Sequence, residues 1–482
     1  MRALVWFRSD LRVRDNTALE EASRAAQELV AAFLVSPRQW RLHDWGAAKV
    51  DFVLRNVEAL GHSLGRLGIP LRVRLASTFD DAPRVLSELL RAERCDALFY
   101  NREHEVNELA RDRAVERALG EICAIVRACD DQTVLPPERL RTGAGAFYRV
   151  FTPFARAWHG ELHRQGLPRP LAAPERRGSA SGAADPLPDA GFGPTPVSAG
   201  SFGAGEREAL ARLDRFVDER IERYDVERDF PANEGTSRLS PYLACGVLSP
   251  RQCLAAVADA NEGTLDGASR GALTWIKELV WREFYRHVLV GFPRVCRGRA
   301  FRPETERLPW RDDAAAFERW CEGTTGVPIV DAGMRQLART GFMHNRLRMI
   351  VAMYLTKDLF IDWRKGERWF MQHLVDGDFA NNNGGWQWSA STGTDAAPYF
   401  RVFNPASQSR RYDPRGELIR AMCPELAGLD DRSIHDPARL PAERRAKLDY
   451  PEPLVDHAAS RRRTLAAWRG LASATIRGGG PR

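Results

Sequence analysis

One segment of the sequence, residues 275–285, places aromatic and charged side chains at a helical spacing. At about 100° per residue, one helix face carries four of them, namely Trp275, Glu278, Trp281 and Arg282. Indole planes stack on nucleobases or on an isoalloxazine ring, and a carboxylate can hydrogen-bond to the edge of a base. The alternative is an ordinary amphipathic helix with an ion pair between Glu278 and Arg282.

A second segment, residues 235–241, has the composition of an anion-binding helix start. It contains a glycine and three hydroxyl side chains, those of Thr236, Ser237 and Ser240. Free backbone N–H groups and the helix dipole favour a phosphate at such an end. The alternative is a plain capping motif, with Ser240 as the N-cap before a first-turn proline, as predicted again for Ser249.

Two further segments concentrate polar side chains. Residues 341–349 open a predicted helix with a histidine, an asparagine and two arginines, and the alternative is a basic helix start that faces solvent. Residues 376–388, DGDFANNNGGWQW, have the composition of a loop that can surround a polar ring system closely. Asp376 and Asp378 would suit calcium, but the loop lacks the glutamate of a calcium-binding helix–loop–helix, so no metal site is predicted.

Tryptophan is concentrated in one region, because eight of the 13 tryptophans lie between positions 275 and 388. Core filling by large rings explains some of them. Indoles can also be oxidised one electron at a time, so a row of them can pass a hole toward solvent. The eight are Trp275, Trp281, Trp310, Trp320, Trp363, Trp369, Trp386 and Trp388.

The first 130 residues alternate short apolar runs with helix-like stretches. This alternation predicts a parallel sheet with crossover helices. No GxGxxG follows the first run, so the dinucleotide-binding fingerprint is absent. The apolar runs are residues 4–7, 30–35, 71–75, 97–100 and 122–126.

Residues 166–205 have the composition of a linker, because glycine and proline supply 15 of these 40 positions. From residue 206 onward the apolar periodicity is helical. We therefore expect an α/β domain of nucleotide-binding type at 1–130, a linker at 131–205 and a large all-α domain at 206–482.

Length and composition exclude several protein classes. The 482 residues are 44% hydrophobic and 28% charged, which excludes a disordered or fibrous chain. No apolar run approaches the roughly 18 residues of a membrane span, and the N-terminus lacks a secretory signal, so we expect a cytoplasmic protein. The eight cysteines form no CxxC pair and indicate small buried residues in a reducing compartment. A net charge of +7 is compatible with a phosphate-bearing partner.

Several long blocks of the chain resemble the DNA photolyase/cryptochrome family, most closely the bacterial class I cyclobutane pyrimidine dimer photolyases. The blocks include VWFRSDLRVRDN at 5–16, FTPF at 151–154, GTSRLSPYLACGVLSPRQC at 235–253, and the stretch from DGDFANNNGGWQW to FRVFNP at 376–405. The fold that this resemblance implies is an α/β antenna domain, a long linker and a helical FAD domain, in agreement with the pattern of predicted elements.

The resemblance implies a lyase that uses light to transfer an electron from reduced FAD to a cyclobutane pyrimidine dimer in DNA, splitting it into two pyrimidines. Glu278 would share a hydrogen bond with the dimer. Asn382 matches the amide that faces flavin N5, although its neighbour Asn381 replaces the small apolar residue expected there. The FAD-binding positions would be Tyr224, Thr236, Ser237, Arg238, Leu239, Ser240, Trp275, Glu278, Arg282, Asn345, Arg348, Asp376, Gly377, Asp378 and Asn382.

The resemblance also implies an electron relay and a DNA surface. Trp386, Trp363 and Trp310 match the photoreduction relay, which runs from flavin to solvent, and Trp281 and Trp388 match the walls that sandwich the lesion. We expect a monomer in the cytoplasm that joins the nucleoid when it binds DNA. The DNA-binding positions would be Arg228, Glu278, Trp281, Asn345, Arg346, Met349, Trp388, Arg401 and Gln408.

An antenna site is implied as well. His43, Asn107, Glu108 and Cys296 match positions that hold 5,10-methenyltetrahydrofolate in folate-type members of the family. Residues 105–112, EVNELARD, favour folate over a deazaflavin. One cleft-side position that is expected to be lysine is Arg297 here.

Three other functions remain open from the sequence. A light-signalling cryptochrome would share the fold, but we expect a C-terminal effector extension in such a receptor, and little sequence follows Trp468. A (6-4) photoproduct photolyase would carry a histidine pair where Asn345 and Met349 stand. A flavoprotein or DNA-binding module without catalysis would need no electron path, yet all three relay indoles are present.

Overall fold

A computed structural model describes residues 1–120, 122–176, 183–195 and 201–478. Within it the chain forms two compact units. The first consists of Met1–Asp225, Ser237–Cys296 and Val375–Asp378. The second consists of Val226–Thr236, Arg297–Leu374 and the chain from Phe379 onward. The predicted domain limits at residues 130 and 205 stay a prediction, and part of the predicted linker lies outside the described residues.

The first unit contains the predicted parallel sheet. Its five strands lie in the order β3-β2-β1-β4-β5, and every pair is parallel. Val5 of the central strand pairs with Ala31 on one side and Phe99 on the other, so apolar residues occupy the middle of the sheet. The strands are β1 Arg2–Phe7, β2 Glu28–Val35, β3 Leu71–Leu75, β4 Ala97–Asn101 and β5 Ile125–Cys129.

Helices connect these strands, as the alternating pattern predicts. Apolar residues of α4 and α5, including Leu86, Leu89 and Val115, pack with Trp6 and Leu98 of the sheet into one core. Because parallel strands require such crossovers, the polar side chains that follow each strand collect at one edge of the sheet. The helices are α1 Thr17–Ala25, α2 Pro37–Leu42, α3 Ala47–Arg66, α4 Ala82–Ala92 and α5 Val106–Leu119.

The chain that follows is helical. Ser249 begins α10 with a full capping box, in which its hydroxyl accepts from Gln252 N and the Gln252 side chain accepts from Ser249 N. Among the described residues beyond 206, the β-structure is one isolated bridge between Arg311 and Ile361. The next helices are α6 Phe151–Gln165, α7 Glu206–Glu219, α8 Tyr224–Glu227, α9 Ser240–Ala244, α10 Pro250–Asp259 and α11 Arg270–Gly291.

The second unit packs its helices around a core of large aromatic rings. Trp320, Trp363, Phe370 and Trp386 lie in this core and are almost fully buried. A π-helical segment, Tyr354–Leu359, continues α14. The helices are α12 Ala314–Glu322, α13 Pro328–Thr340, α14 Asn345–Met353, α15 Trp363–His373, α16 Phe379–Ala390, α17 Pro405–Tyr412, α18 Glu417–Met422, α19 Ala442–Arg445 and α20 His457–Gly478. None of the described helices is both long and apolar enough to span a bilayer.

Two predicted element boundaries are wrong. The fifth strand begins at Ile125, three residues later than expected, because the N–H groups of Ile122 and Cys123 donate to Leu119 O in the turn that ends α5. Ser240 is the first residue of α9 and not its N-cap, which is Leu239. Its hydroxyl donates to a carboxylate elsewhere in the unit and therefore does not cap its own helix.

The predicted loop at 376–388 is also wrong, because Phe379–Ala390 forms helix α16. Asparagine and glycine disfavour helices, but tertiary contacts override that preference here. Trp386 packs between Phe370 and Trp320, and Asn383 donates from Nδ2 to Glu367 Oε1 at 2.8 Å. Only Asp376–Asp378 remains as a short non-helical strip before the helix.

Candidate active site

The strip Asp376–Asp378 lies beside the hydroxyl segment predicted to bind phosphate. The Ser240 hydroxyl donates to Asp376 Oδ2 at 2.6 Å, although the two residues are 136 positions apart. Asp376 is buried at 6% exposure. The first unit therefore brings together two of the segments that were singled out for their composition.

Asp378 at the other end of the strip forms a buried ion pair. Arg286 of α11 donates to its Oδ2 at 2.6 Å, and both side chains are 10% exposed or less. Burial disfavours the charged guanidinium, but the attraction of Asp378 outweighs it and raises the pKa of Arg286. Sequence reasoning missed Arg286, although its position four residues after Arg282 on the same helix face was a signal.

Arg282 of α11 is held by two backbone carbonyl groups. Its two terminal nitrogens donate to the backbone carbonyls of Gln132 at 2.9 Å and Leu243 at 3.0 Å. Burial, followed by repulsion from Arg286, lowers the pKa of Arg282 to about 10, so it remains a cation at neutral pH. The first unit thus holds two buried guanidinium groups on α11, which suits an anionic ligand beside that helix.

Trp275, one of the predicted FAD-binding residues, lies next to the hydroxyl segment. Its Nε1 donates to Ser237 Oγ at 3.4 Å, and its ring packs 5.1 Å from Phe216. Tyr224 also packs edge-on against Phe216, with 5.8 Å between ring centroids. Arg238 has φ +50°, a left-handed conformation that is strained for a side-chain-bearing residue and that is concentrated at ligand sites.

Trp281, the predicted wall of a lesion pocket, is stacked on one side. The ring of Phe151 lies parallel to it, with 3.6 Å between centroids and 3° between planes. Phe151 belongs to the FTPF block, so this motif packs against the Trp281 indole. Sequence reasoning missed that role because residues 151 and 281 are brought together only by the fold.

In the second unit, Asn382 has a defined amide orientation. Its Nδ2 donates to Glu367 O at 2.9 Å, which leaves its Oδ1 as the atom that can accept from a ligand N–H. The next residue, Asn383, donates to Glu367 Oε1 and accepts from Gln387 Nε2 at 2.8 Å. This hydrogen-bond network holds the Asn382 and Asn383 side chains of α16 in one orientation.

Two of the three relay tryptophans are buried, and the third is partly exposed. Trp386 and Trp363 are 2% and 0% exposed, whereas Trp310 is partly exposed and packs 5.0 Å from Phe360. The Trp386 Nε1 is buried and has no hydrogen-bond partner among the protein atoms described. An indole N–H in that state is a donor that a bound cofactor or an ordered water can satisfy.

Several predicted DNA-binding residues gather in the second unit. Arg346 contacts Asp229 Oδ1 at 2.7 Å and lies 4.3 Å from the centre of the Tyr412 ring. Arg228 is 3.9 Å from the same carboxylate, and sequence reasoning missed Asp229 as their common counter-ion. Other predicted residues of this unit lie on its surface or are partly buried, namely Asn345, Met349, Trp388, Arg401 and Gln408, and the Arg348 Nε donates to Met343 O at 2.8 Å.

The predicted antenna residues form a second cluster, in the first unit. His43 Nε2 lies 2.9 Å from Gln39 Nε2 and 3.0 Å from Asn107 Nδ2, so it accepts from amide N–H groups. Its Nδ1 faces Glu108 Oε1 at 3.4 Å. Burial lowers the pKa of His43 to about 4, so the imidazole is neutral at pH 7 and its contact with Glu108 is not an ion pair. Cys296 lies on a separate 3₁₀ turn, Val295–Arg297.

No cluster of three or more side chains that could hold a metal ion occurs among the described residues.

Comparisons with known proteins match both halves of the chain. The family described as DNA photolyase matches residues 3–175, and the FAD binding domain of DNA photolyase matches residues 275–470. The deoxyribodipyrimidine photo-lyase of Escherichia coli (strain K12) is 45% identical over 466 residues, which cover 96% of this chain and 98% of that one.

Solved structures are similar over the whole chain. A bacterial class III photolyase from Agrobacterium tumefaciens superposes with a TM-score of 0.86 at 36% identity, covering 98% of both chains. A cryptochrome from Synechocystis sp. PCC6803 superposes with a TM-score of 0.85 at 30% identity, covering 97% of this chain and 99% of that one.

Proposed function

Because the chain belongs to the DNA photolyase family, we propose that it is a light-driven lyase that splits cyclobutane pyrimidine dimers in DNA. The observation that carries this proposal is the 45% identity to a deoxyribodipyrimidine photo-lyase over 96% of the chain. FAD is the catalytic cofactor, and in its reduced, light-excited form it supplies the electron that opens the dimer.

The residues of the first unit fit FAD. The left-handed Arg238, the Ser237 and Ser240 hydroxyls and the α11 guanidinium groups offer donors and positive charge to a pyrophosphate. Asp376 and Asp378 are fixed by Ser240 and Arg286, so their strip is rigid before any ligand arrives. We propose that the cofactor also contacts Tyr224, Thr236, Leu239, Trp275, Glu278, Arg282, Asn345, Arg348 and Gly377.

Other side chains of this chain take defined roles in the proposal. Asn382 accepts a hydrogen bond from flavin N5 through Oδ1, because its amide nitrogen is already engaged by Glu367 O. Trp386, Trp363 and Trp310 carry electrons inward to the flavin when it must be reduced. Their order of burial supports this direction, since only the last of them is partly exposed.

A dimer inside the DNA stack is out of reach of a buried cofactor, so it must be turned out of the stack into a pocket. We propose that Trp281 and Trp388 hold the two bases between them and that Glu278, Asn345 and Met349 contact their polar edges. The backbone contacts are assigned to Arg228, Arg346, Arg401 and Gln408.

The finer assignments complete the proposal. A folate antenna at His43, Asn107, Glu108 and Cys296 would absorb light and pass excitation energy to the flavin. The polar cluster around His43 supports this, because neutral imidazole and amide groups suit a pterin. We further propose a monomer that works in the cytoplasm on nucleoid DNA, as one active site per chain requires no second copy.

The test is repair of an oligonucleotide that contains a single thymine dimer. Purified protein with reduced FAD should restore the intact thymines under blue light and not in the dark. A cryptochrome that only signals would bind FAD and respond to light without changing the dimer. A (6-4) enzyme would act on the (6-4) photoproduct instead, so both substrates belong in the same assay.

A further inference from the structure

A buried amine contacts the strip that we propose to bind the flavin. Lys49 of α3 is 7% exposed, and its Nζ donates to Gly377 O at 2.6 Å. Gly377 stands between Asp376 and Asp378, so this hydrogen bond holds the middle of the strip while Ser240 and Arg286 hold its two carboxylates. Three separate elements therefore fix three consecutive residues.

The same amine is held from its other side by an aromatic ring. Its Nζ lies 3.5 Å from the centre of the Trp45 ring, which is a cation–π distance. Lys49 and Trp45 also line a cavity at the carboxyl ends of the strands, together with Arg8, Glu103, Glu108 and Arg111. The Lys49 side chain thus lines this cavity and also contacts the Asp376–Asp378 strip.

The Lys49 amine loses its proton close to neutral pH. Burial lowers the pKa of Lys49 to about 8, against the attraction of Asp378, Glu105 and Glu103. His43 faces the same region, and its pKa of about 4 lies far outside that range.

Two other titratable neighbours of Lys49 also have pKa values outside the range from pH 7 to pH 9. The pKa of Glu103 is about 2, because the nearby Arg111 and Arg8 cations and the Ser9 hydrogen bond outweigh its burial, and burial raises the pKa of Cys245 to about 12. Burial raises the pKa of Glu105 as well. Burial also raises the pKa of Glu108, which lines the same cavity. Lys49 is the basic group of this cluster whose charge is expected to change between pH 7 and pH 9.

We propose that Lys49 is a positioning residue for FAD, which sets the geometry and the charge of the Asp376–Asp378 strip from the wall of the neighbouring cavity. This inference rests on the proposed function, because it requires FAD at that strip. The charged ammonium makes a stronger hydrogen bond to the Gly377 carbonyl than a neutral amine does, and it favours the negative charge of the cofactor.

The charge of Lys49 makes the affinity for FAD depend on pH. The protonated form of Lys49 binds FAD more tightly, so affinity is highest below pH 8 and falls as the amine loses its proton toward pH 9. By linkage, bound FAD raises the pKa of this amine. A substitution that removes the amine lowers the affinity at pH 7 and abolishes the dependence on pH.

The experiment measures FAD binding to the apoprotein, by flavin fluorescence, at pH 7, 8 and 9. Lys49→Met keeps the length of the side chain without the amine, and the exposed Lys447→Met is the matched control. We expect Lys49→Met to weaken FAD binding roughly five- to hundredfold at pH 7 and to give a flat pH profile. Lys447→Met should match the wild type, whose affinity falls between pH 7 and pH 9.

Two results would overturn the inference. One is Lys49→Met protein that binds FAD with the affinity and pH profile of the wild type. The other is a flat wild-type profile, which needs no variant and therefore decides the matter even if Lys49→Met does not fold. Failure of the proposed FAD site is distinct from both, because the wild type would then not bind FAD at any pH. Failure of the proposed repair activity alone would appear in the dimer assay while FAD binding stayed intact.

Discussion

Individual side chains of the proposed site depend on partners that hold them in one orientation. Asn382 is useful as an acceptor only because Glu367 O takes its amide hydrogen, and the Asp378 carboxylate, at 10% exposure, is held by Arg286 at 2.6 Å. Burial without such a partner would favour the neutral carboxylic acid. The chemistry of each residue is therefore set as much by its neighbour as by its own type.

Glu278 offers the most direct test at the scale of a residue. It is half-buried on α11, on the helix face that carries Trp275 and Trp281. Glu278→Gln retains the shape and an N–H donor but cannot share a proton with the reduced dimer. We expect the repair quantum yield per bound FAD to fall, measured on a thymine-dimer oligonucleotide, with the exposed Glu88→Gln as control. A full yield in Glu278→Gln would refute the role proposed for this carboxyl group.

Much of the site at this scale could be read from the sequence, and some of it could not. Trp275, Ser240 and Asp376 were singled out from composition, and the structure brings their segments together. Arg286, Phe151, Asp229 and Lys49 were missed. Each of them is an ordinary residue locally and acquires its role through a contact across 90 positions or more, which no local pattern contains.

Helices and strands were predicted well where apolar periodicity decides and poorly where packing overrides local preference. Four of the five strands lie within two residues of the predicted limits, because buried parallel strands are nearly continuous apolar runs. Helix α16 was predicted as a loop, since its Asn and Gly residues disfavour helices locally. Its helical form is stabilised by Trp386, which packs against α15 and α12.

The contact between α15 and α16 gives a prediction for these elements. A Cβ at Gly366 would lie 2.1 Å from Cη2 of Trp386, so Gly366→Ala must displace the indole. We expect a loss of roughly 1–3 kcal/mol in the free energy of unfolding, measured in urea, and slower light-driven reduction of the flavin. Gly385→Ala, where no atom lies within 4 Å of the new Cβ, should instead stabilise the helix by about 0.5–1 kcal/mol. Equal effects of the two substitutions would contradict this packing argument.

Helix α11 gives a second prediction, which concerns pH. His287 accepts from Tyr148 N at Nε2 and faces Pro137 O with Nδ1, an arrangement that only neutral imidazole satisfies. Burial lowers its pKa to about 4, against an ordinary value near 6.5. Between these values the unfolded chain binds more protons, so stability falls as the pH is lowered from about 6.5 to about 4.

His287→Gln offers an acceptor and a donor without titrating, so its loss of stability on acidification should be smaller than that of the wild type. The expected difference is roughly 2–3 kcal/mol between pH 6.5 and pH 4, measured by urea unfolding at both values. His62→Gln, on the exposed face of α3, is the control and should follow the wild type. An identical acid response in His287→Gln would show that this imidazole is not held neutral by the fold.

At the scale of the whole molecule, the chain combines a net charge of +7 with a sheet-containing unit and a helical one. DNA recognition by such a protein must include a salt-dependent part, because cations on the protein release counter-ions from the phosphates. Family membership makes DNA the substrate, and the charge makes the strength of binding depend on ionic conditions.

Arg401 is exposed and tests this electrostatic part. Arg401→Ala should weaken binding to damaged and undamaged strands alike and reduce the slope of log K against log salt by about 1. Fluorescence anisotropy at several salt concentrations gives the slope. Arg24→Ala, an exposed substitution on α1, should leave the slope unchanged. If both variants keep the wild-type slope, Arg401 makes no phosphate contact.

The central claim is that this chain uses light and reduced FAD to open pyrimidine dimers with the electron returned at the end of each cycle. The most direct measurement counts dimers repaired per FAD under anaerobic blue light, starting from protein whose FAD is fully reduced. The account predicts many dimers repaired for each FAD, none in the dark, and a flavin spectrum that remains reduced throughout. Repair that stops after one dimer per FAD with the flavin oxidised, or intact dimers after prolonged illumination, would contradict it.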